Sequence, residues 1–437
     1  MPLLIIAIGI ALQVFLTYKK VSPFLSLLLV AILVGLLLGM DTLSLLNSIE
    51  KGVGSTLDGL VLIICLGAIL GKVLEGSGAI GQITTSLIRS FGERHVQWAV
   101  LVTGFMVGLP LYYNAGFIIL VPLVFSVAKK TRLPLLYVAI PTAASLSATH
   151  CFLPPHPGPV VLVNAFEADL GKTLIYGLIL VIPIVIICGP LLGRLLKNIT
   201  TDDNEDSSAE TPGEIKKLPS VTSSFLVALM PVILITLAVL AKNFLEAQNS
   251  WMQFILFMGD PTIALLLSAL LAIYFFGLRR GETMQTSMAW LSSGISGIAM
   301  ILLIITAGGV LKQVLIDSGT GNYITAFSKE WQINPLLFGW IITALLRVTL
   351  GSATVAGLTA AGIVAPLVMK GQGSPELMVL AVGAGSIFGS HINDTGFWMF
   401  KEFFGLSLKQ TFLSWTVMET SMSVLGLLGV LLLQMII

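Results

Sequence analysis

Apolar runs of about 16 residues or more recur from one end of this chain to the other. Runs of that length are what a hydrocarbon core ~30 Å thick requires of a crossing helix. They predict fourteen hydrophobic segments, at about 3–17, 24–40, 57–75, 96–109, 111–128, 133–165, 172–196, 223–241, 262–277, 288–311, 335–347, 352–370, 376–405 and 410–435. The pairs within 96–128 and 335–370 read either as two spans or as one re-entrant hairpin. One segment breaks the pattern. Residues 197–222 contain "NITTDDNEDSSAETPGEIKKLPSV", which is polar, acidic and rich in Ser and Thr. Such a stretch cannot bury apolar surface and is predicted to be a loop. It lies near the chain midpoint and suggests a first transmembrane repeat at 1–197, a linker at 198–222 and a second repeat at 223–437.

The two halves resemble each other in order. "GKVLEGSG" (Gly71–Gly78) pairs with "KQVLIDSG" (Lys312–Gly319), and "SPFLSLLLVAILVGLLLG" (Ser22–Gly39) with "DPTIALLLSALLAIYFFG" (Asp260–Gly277). "NAGFIILVPLV" (Asn114–Val124) pairs with "LTAAGIVAPLV" (Leu358–Val368), and "AASLSATH" (Ala143–His150) with "AGSIFGSH" (Ala384–His391). Four co-linear matches at nearly constant offset predict an internal duplication.

Seven segments per half is odd, so the second half is expected upside down. Basic residues agree with this. Lys19–Lys20, Arg89/Arg94 and Lys129–Lys130–Arg132 fall on one side of the first half. The matching loops of the second half hold only Lys242, Lys312/Lys329 and Lys370, and its strong pair Arg279–Arg280 lies on the opposite loop. The linker, with Arg194, Lys197, Lys216 and Lys217, is then cytoplasmic and both termini face outward. The first run, Leu3–Leu16, lacks a basic leader and is flanked by Lys19 and Lys20, the pattern of a retained span. Inverted repeats are typical of secondary transporters.

Two places interrupt the apolar pattern at corresponding positions. "HCFLPPHPGP" (His150–Pro159) holds two of the four histidines and four prolines. Proline removes a backbone donor and blocks a helix, so this stretch is predicted to be broken. "GSHINDTGFW" (Gly389–Trp398) is the second interruption. Non-helical backbone at membrane depth is tolerated where protein or a water-filled cavity covers it, and its freed groups then serve as ligands. His150, His156, His391 and Asp394 lie in these interruptions. An ionisable group at this depth is a functional candidate by default. Each could carry a proton, or could hold the broken helix by a hydrogen bond.

A second matched pair of patches precedes the breaks: "GLPLYYNAG" (Gly108–Gly116) and "LRVTLGSATVAG" (Leu346–Gly357). Asn114, Ser352 and Thr354 are candidates to bond sugar-like hydroxyls. Tyr112 and Tyr113 share that reading with an interfacial aromatic belt, and the glycines with plain helix packing. Arg347 follows "PLLFGWIITALL" with no basic neighbour. It could clamp a carboxylate, snorkel, or pair with Asp394 or Glu402. Lys72 and Glu75 sit at the end of a segment and read as interfacial.

Composition narrows the class. The chain is 56% hydrophobic and 10% charged, against about 25% charged in soluble domains. Mean hydropathy is +0.98. A net charge of +1 gives no footprint for nucleic acid. Cys65, Cys151 and Cys188 are far apart in apolar surroundings, so neither a disulfide frame nor a zinc site is implied. There is no HExxH or GxSxG, and His150 and His156 are six apart across prolines, a poor chelate. No cofactor or metal is expected, and an intramembrane hydrolase becomes a remote alternative.

"GLPLYYNAGFIILVPL", "SLSATHCFLPPHPGP" and "LRVTLGSATVAGL" resemble the gluconate permease family of bacterial proton symporters, over essentially the whole chain. The family is similar in outline to the wider ion transporter superfamily. The resemblance implies an all-α polytopic fold with inverted repeats, broken helices, re-entrant hairpins and elevator-like movement. By the same resemblance the site spans Asn114, Ser147, Thr149, His150, Pro155, His156 and Gly158 in the first half. In the second half it spans Arg347, Gly351, Ser352, Thr354, Ser390, His391, Asn393, Asp394 and Thr395. It implies import of gluconate or a related sugar acid with protons across the bacterial inner membrane, by a transporter rather than an enzyme. Asp394 or one of His150, His156 and His391 would take the coupling proton. A homodimer is an expectation by superfamily analogy alone. D-serine, glycerate and a keto-sugar acid stay open as substrates.

Overall fold

The computed structural model describes residues 2–58, 60–92, 95–111, 113–199, 218–241, 250–320 and 333–437. Arg94, Tyr112, Lys216, Lys217, Lys242, Lys329 and most of the acidic linker lie outside these. Among the described residues every regular element is helical. The first half carries α1 (Pro2–Tyr18), α2 (Pro23–Leu37), α3 (Thr42–Asp58), α4 (Val61–Gly76) and α5 (Ala79–Phe91). It continues with α6 (Val96–Gly108), α7 (Tyr113–Thr131), α8 (Leu135–Phe152), α9 (Pro157–Phe166) and α10 (Leu170–Leu195). After the linker come α11 (Val221–Ala241), α12 (Ser250–Met258), α13 (Pro261–Arg280) and α14 (Met284–Asp317). The chain ends with α15 (Pro335–Leu350), α16 (Ala353–Met369), α17 (Pro375–Gly385), α18 (Thr395–Phe403) and α19 (Leu408–Ile436).

Among the described residues six stretches are long and apolar enough to cross a membrane, or seven if α3 and α4, bent by 45°, act as one. Shorter apolar helices of 10–17 residues make up much of the remainder. This differs from fourteen separate segments in an instructive way. The run 133–165 is two helices, and so is 376–405, because each contains an interruption. Conversely α3 and α5 lie mostly between the predicted runs. They are amphipathic, burying Leu45, Ser48, Gly52 and Thr56 in one case and Ala79, Ile80, Ile83 and Thr84 in the other. A stripe at spacings of three and four gives no continuous apolar run.

Burial separates centre from periphery. The α8–α9 stretch has 83% of its apolar window buried, whereas α11 has 33%. The first is therefore wrapped by protein. The second presents Leu226, Ile233, Leu237 and Leu240 outward, the kind of surface that lipid tails cover. The centre is α8 and α9 with α16 and α17, which pack on one another. Small residues let backbones approach there: a Cβ on Gly104 of α6 would lie 2.2 Å from Ser145 Oγ of α8.

The interruptions follow from local chemistry. Leu153 leaves α8 in an extended conformation (φ −112°, ψ 116°), as a residue before proline must. Helix α9 restarts with Pro157 at its first position, where the missing N–H costs nothing. In the second half α17 ends at Gly385, and α18 begins after Asp394, whose Oδ1 accepts from Gly396 N at 3.0 Å. Two hairpin tips face these breaks. One is the turn between α6 and α7. The other is Gly351–Ser352 between α15 and α16, where Gly351 takes φ +78° and Ser352 Oγ accepts from Val355 N at 3.3 Å.

Candidate substrate site

Both tips, the α8 end of the first break, both ends of the second, α4, α14 and α19 line a cavity of about 460 Å³. That lies within the ~300–1,000 Å³ usual for small-molecule sites. Helix interruption explains the location. Ending a helix inside the protein frees backbone donors and acceptors, and polar side chains gather there to satisfy them.

The second-half wall is built on Arg347. Its guanidinium is 3% exposed, and Nη2 donates to Asp394 Oδ2 at 2.5 Å. Nη1 donates to the Gly351 carbonyl, so one arginine ties the tip to the break. Ser390 Oγ also donates to Asp394 Oδ2, and Trp415 Nε1 donates to Ser390 Oγ at 2.7 Å. Asp394 thus takes donors from a cation, a hydroxyl and a helix N-terminus, so three elements converge on one carboxylate. Arg347 and Asp394 are the structural pair that sequence reasoning left as one alternative, and both line the cavity. Glu402 pairs instead with Lys401, at 2.8 Å.

The first-half wall is built on α8. The Ser147 hydroxyl and the His150 ring reach the cavity. The His156 ring stands edge-on behind His150, with centroids 4.5 Å apart. Its Nε2–H donates to the Leu111 carbonyl at 3.0 Å, joining this break to its own tip. Asn114 and Tyr113 come from the start of α7.

Of the residues expected from sequence, Asn114, Ser147, His150, Arg347, Gly351, Ser352, Thr354, Asp394 and Thr395 line this cavity. The others stand around it. Thr149 turns its hydroxyl back to the Ser145 and Leu146 carbonyls. Pro155 and His156 line a small neighbouring crevice, and Gly158 another. Ser390 supports Asp394 from behind. His391 Nδ1–H donates to the Gly389 carbonyl at 2.9 Å, and Asn393 Nδ2 donates to the Val348 carbonyl at 2.7 Å.

Three charged residues on the wall were not expected there. Lys72 and Glu75, ion-paired at 3.0 Å, face the cavity instead of lying at an interface. Glu419 of α19 is 1% exposed and accepts from Ser147 Oγ at 3.0 Å. Its signal was present in sequence: a lone carboxylate in the apolar run "SWTVMETSMSVLGLLG". Among the described residues no group of three His, Cys, Asp or Glu side chains is placed to hold a metal ion.

The arrangement suits a small polar anion. It offers hydroxyls, an amide, a guanidinium and glycine backbone in a space between apolar helices. Known proteins agree with this chemistry. The family profile described as GntP family permease matches residues 1–436. A high-affinity gluconate transporter of Escherichia coli is 49% identical over 100% of both chains. The Gnt-II system L-idonate transporter of the same organism is 46% identical over 99% of this chain and 98% of its own. A gluconate permease of Bacillus subtilis is 40% identical over 100% of both. In fold, the chain is similar to the crystal structure of the Alcanivorax borkumensis YdaH transporter, with a TM-score of 0.70, 17% identity, and 97% and 98% of the two chains covered. With its whole length matched and its multi-pass helical architecture, the chain belongs to the GntP family of permeases, transport proteins and not enzymes.

Proposed function

We propose that this permease imports gluconate, or a closely related sugar acid, across the bacterial inner membrane together with protons. The observation that carries the reading is the cavity itself: hydroxyl and amide groups of Asn114, Ser147, Ser352 and Thr354 surround the Arg347–Asp394 pair at two helix breaks. Such a lining matches a polyhydroxylated monocarboxylate, and relatives at 49% and 40% identity are named for gluconate. A relative at 46% is named for L-idonate, so a second sugar acid is a specific alternative. D-serine, glycerate and keto-sugar acids remain for the competition panel below.

Two inverted repeats, 1–197 and 223–437, with a cytoplasmic linker at 198–222 and both termini outside, are part of the proposal. Order supports them: α6–α7, α8–break–α9 and α10 are matched by α15–α16, α17–break–α18 and α19. Gly78 and Gly319, 241 apart, both follow their helices with positive φ, +79° and +74°. We also propose that α6–α7 and α15–α16 are re-entrant hairpins. The 13 residues of α6 rise only ~20 Å at 1.5 Å each, short of a ~30 Å core. An elevator-like movement of these hairpins with the broken helices would expose the cavity alternately to either side, within a homodimer. The coupling proton belongs at this cavity. Of the titrating groups expected from sequence, His150 and Asp394 line it, the His156 ring stands against His150, and His391 is bonded to the Gly389 carbonyl within the second break.

Labelled gluconate uptake into proteoliposomes with an imposed pH gradient tests the reading. Accumulation that collapses with a protonophore, and is competed best by gluconate, is the expected result. Accumulation of a different acid overturns the substrate. Accumulation indifferent to the pH gradient overturns proton coupling.

A further inference from the structure

Charge counting at the cavity leaves one group unexplained. Its charged lining residues are Lys72, Glu75, Arg347, Asp394 and Glu419, two cations and three carboxylates. Lys72 is paired with Glu75 and Arg347 with Asp394. Glu419 is the carboxylate left over. It is buried at mid-helix, Oε2 has only the Ser147 hydroxyl, and Oε1 has no hydrogen-bond partner among the described residues. A buried carboxylate with neither cation nor full hydrogen bonding is costly as an anion and acceptable as an acid.

We infer that Glu419 is the group that takes up and releases the coupling proton, and that Ser147 transmits its state to the substrate. This rests on the proton-symport reading above. When Glu419 is charged, the one hydrogen of Ser147 is committed to it, and Ser147 offers the cavity only lone pairs. When Glu419 is protonated, its O–H can donate to Ser147, which frees the Ser147 hydrogen for a substrate oxygen. Protonation also removes the unpaired negative charge that opposes a carboxylate entering the cavity. Proton and anion therefore favour each other's binding, and by linkage the effect is reciprocal. The step balances as one proton gained by one carboxylate from the outer solution and lost to the cytoplasm.

The surroundings admit this assignment. Packed on α19 are α8, with His150 and Cys151, and α10, with Cys188. Tyr113 of α7, Arg347 of α15 and Asp394 complete the titratable groups within electrostatic reach. The one titratable residue of α17, Glu376, sits in its first turn bonded to Ser374. On α18, Lys401 and Glu402 pair with each other. Asp394 already has its cation. Protonating His150 would add a positive charge beside His156 and leave Glu419 negative, whereas protonating Glu419 leaves every charge on the wall paired.

The test uses full-length protein in proteoliposomes and two readouts: accumulation of labelled gluconate driven by a pH gradient, and gluconate exchange with gluconate on both sides at equal pH. Glu419→Gln keeps the shape and the acceptor for Ser147 and cannot cycle a proton. It is expected to lose gradient-driven accumulation by a larger factor than gluconate exchange, while Glu419→Asp, which keeps a titrating carboxylate, recovers part of the accumulation. Accumulation by Glu419→Gln at the wild-type level overturns the inference, as does loss of exchange together with accumulation in a properly folded variant. A second measurement needs no variant at residue 419. In weakly buffered detergent solution, gluconate binding to the wild type and to Ser147→Ala is followed by pH. Proton uptake by the wild type that weakens in Ser147→Ala is expected, and binding without uptake overturns the inference. Absence of gluconate accumulation and binding in the wild type would instead overturn the function proposed above.

Discussion

Replacing Arg347 by Gln removes the cation that joins the α15–α16 tip to the break before α18. Asp394 then keeps Ser390 Oγ and Gly396 N and loses its counter-charge. The cost can be reached in two ways. Charge centres ~4 Å apart at an effective dielectric of ~20 attract by about 4 kcal/mol. Removing one member of a buried pair typically costs ~3–5 kcal/mol, because the other charge stays dry and alone. Arg347 is 3% exposed and Asp394 16%, so neither can regain full hydration without unpacking the tip. Asp394→Asn is expected to cost about as much, by leaving the guanidinium unpaired. The double variant Arg347→Gln/Asp394→Asn buries no charge and should be more stable than either single one. A double-mutant cycle on unfolding of the purified protein in mixed detergent–SDS micelles, followed by tryptophan fluorescence, gives the coupling energy. At least ~2 kcal/mol is expected. A coupling below ~0.5 kcal/mol, or a double variant no more stable than the singles, would show that the pair is solvated in practice and refute the reasoning.

Two further perturbations address the frame of the cavity. Gly351→Ala should abolish uptake and lower thermal stability, since its φ of +78° costs an L-residue ~1–2 kcal/mol. Its new Cβ would also fall 2.2 Å from the Asn393 carbonyl oxygen. Phe117→Ala should destabilise by about 3–5 kcal/mol in the same micelle assay. That ring is buried against Tyr113, Phe403 and Phe404, with centroids 5.6–5.9 Å away, and it anchors α7 to the short helix α18.

How far the sequence could be read depended on whether a residue's role is local. The breaks were legible because Pro154, Pro155, Pro157 and Gly389 act on their own backbone. Arg347 and Asp394 were legible because an isolated charge in an apolar run is conspicuous. Glu419 obeys the same rule, but hydropathy averaged over a run absorbs a single carboxylate. Lys72 and Glu75 stand at a segment end, and only the packing of α4 on α13 and α14 turns them toward the cavity. Thr149 shows the reverse failure. It adjoins His150 in sequence, yet helical spacing carries its hydroxyl to its own backbone and its side chain against Gly108. Amphipathic α3 and α5 were missed because their buried stripes make no long run.

Each hairpin tip is fastened to the break of its own half of the chain. Leu111 is held by His156 in the first half. Gly351 is held by Arg347, itself paired with Asp394, in the second, where Asn393 also bonds Val348. Such ties favour movement of tip and break together, since separating them would strand buried donors and acceptors. Across the halves, the cavity-lining Ser147 of α8 hydrogen-bonds Glu419 of α19. On the assignment proposed above, a proton taken up by Glu419 would alter this contact between the halves as well as the charge facing the substrate. Coupling and movement would then share one atom pair. On this argument Ser147→Ala should weaken proton coupling while leaving the Arg347–Asp394 cycle energy unchanged. A shift in both would mean that the two units are not mechanically separate.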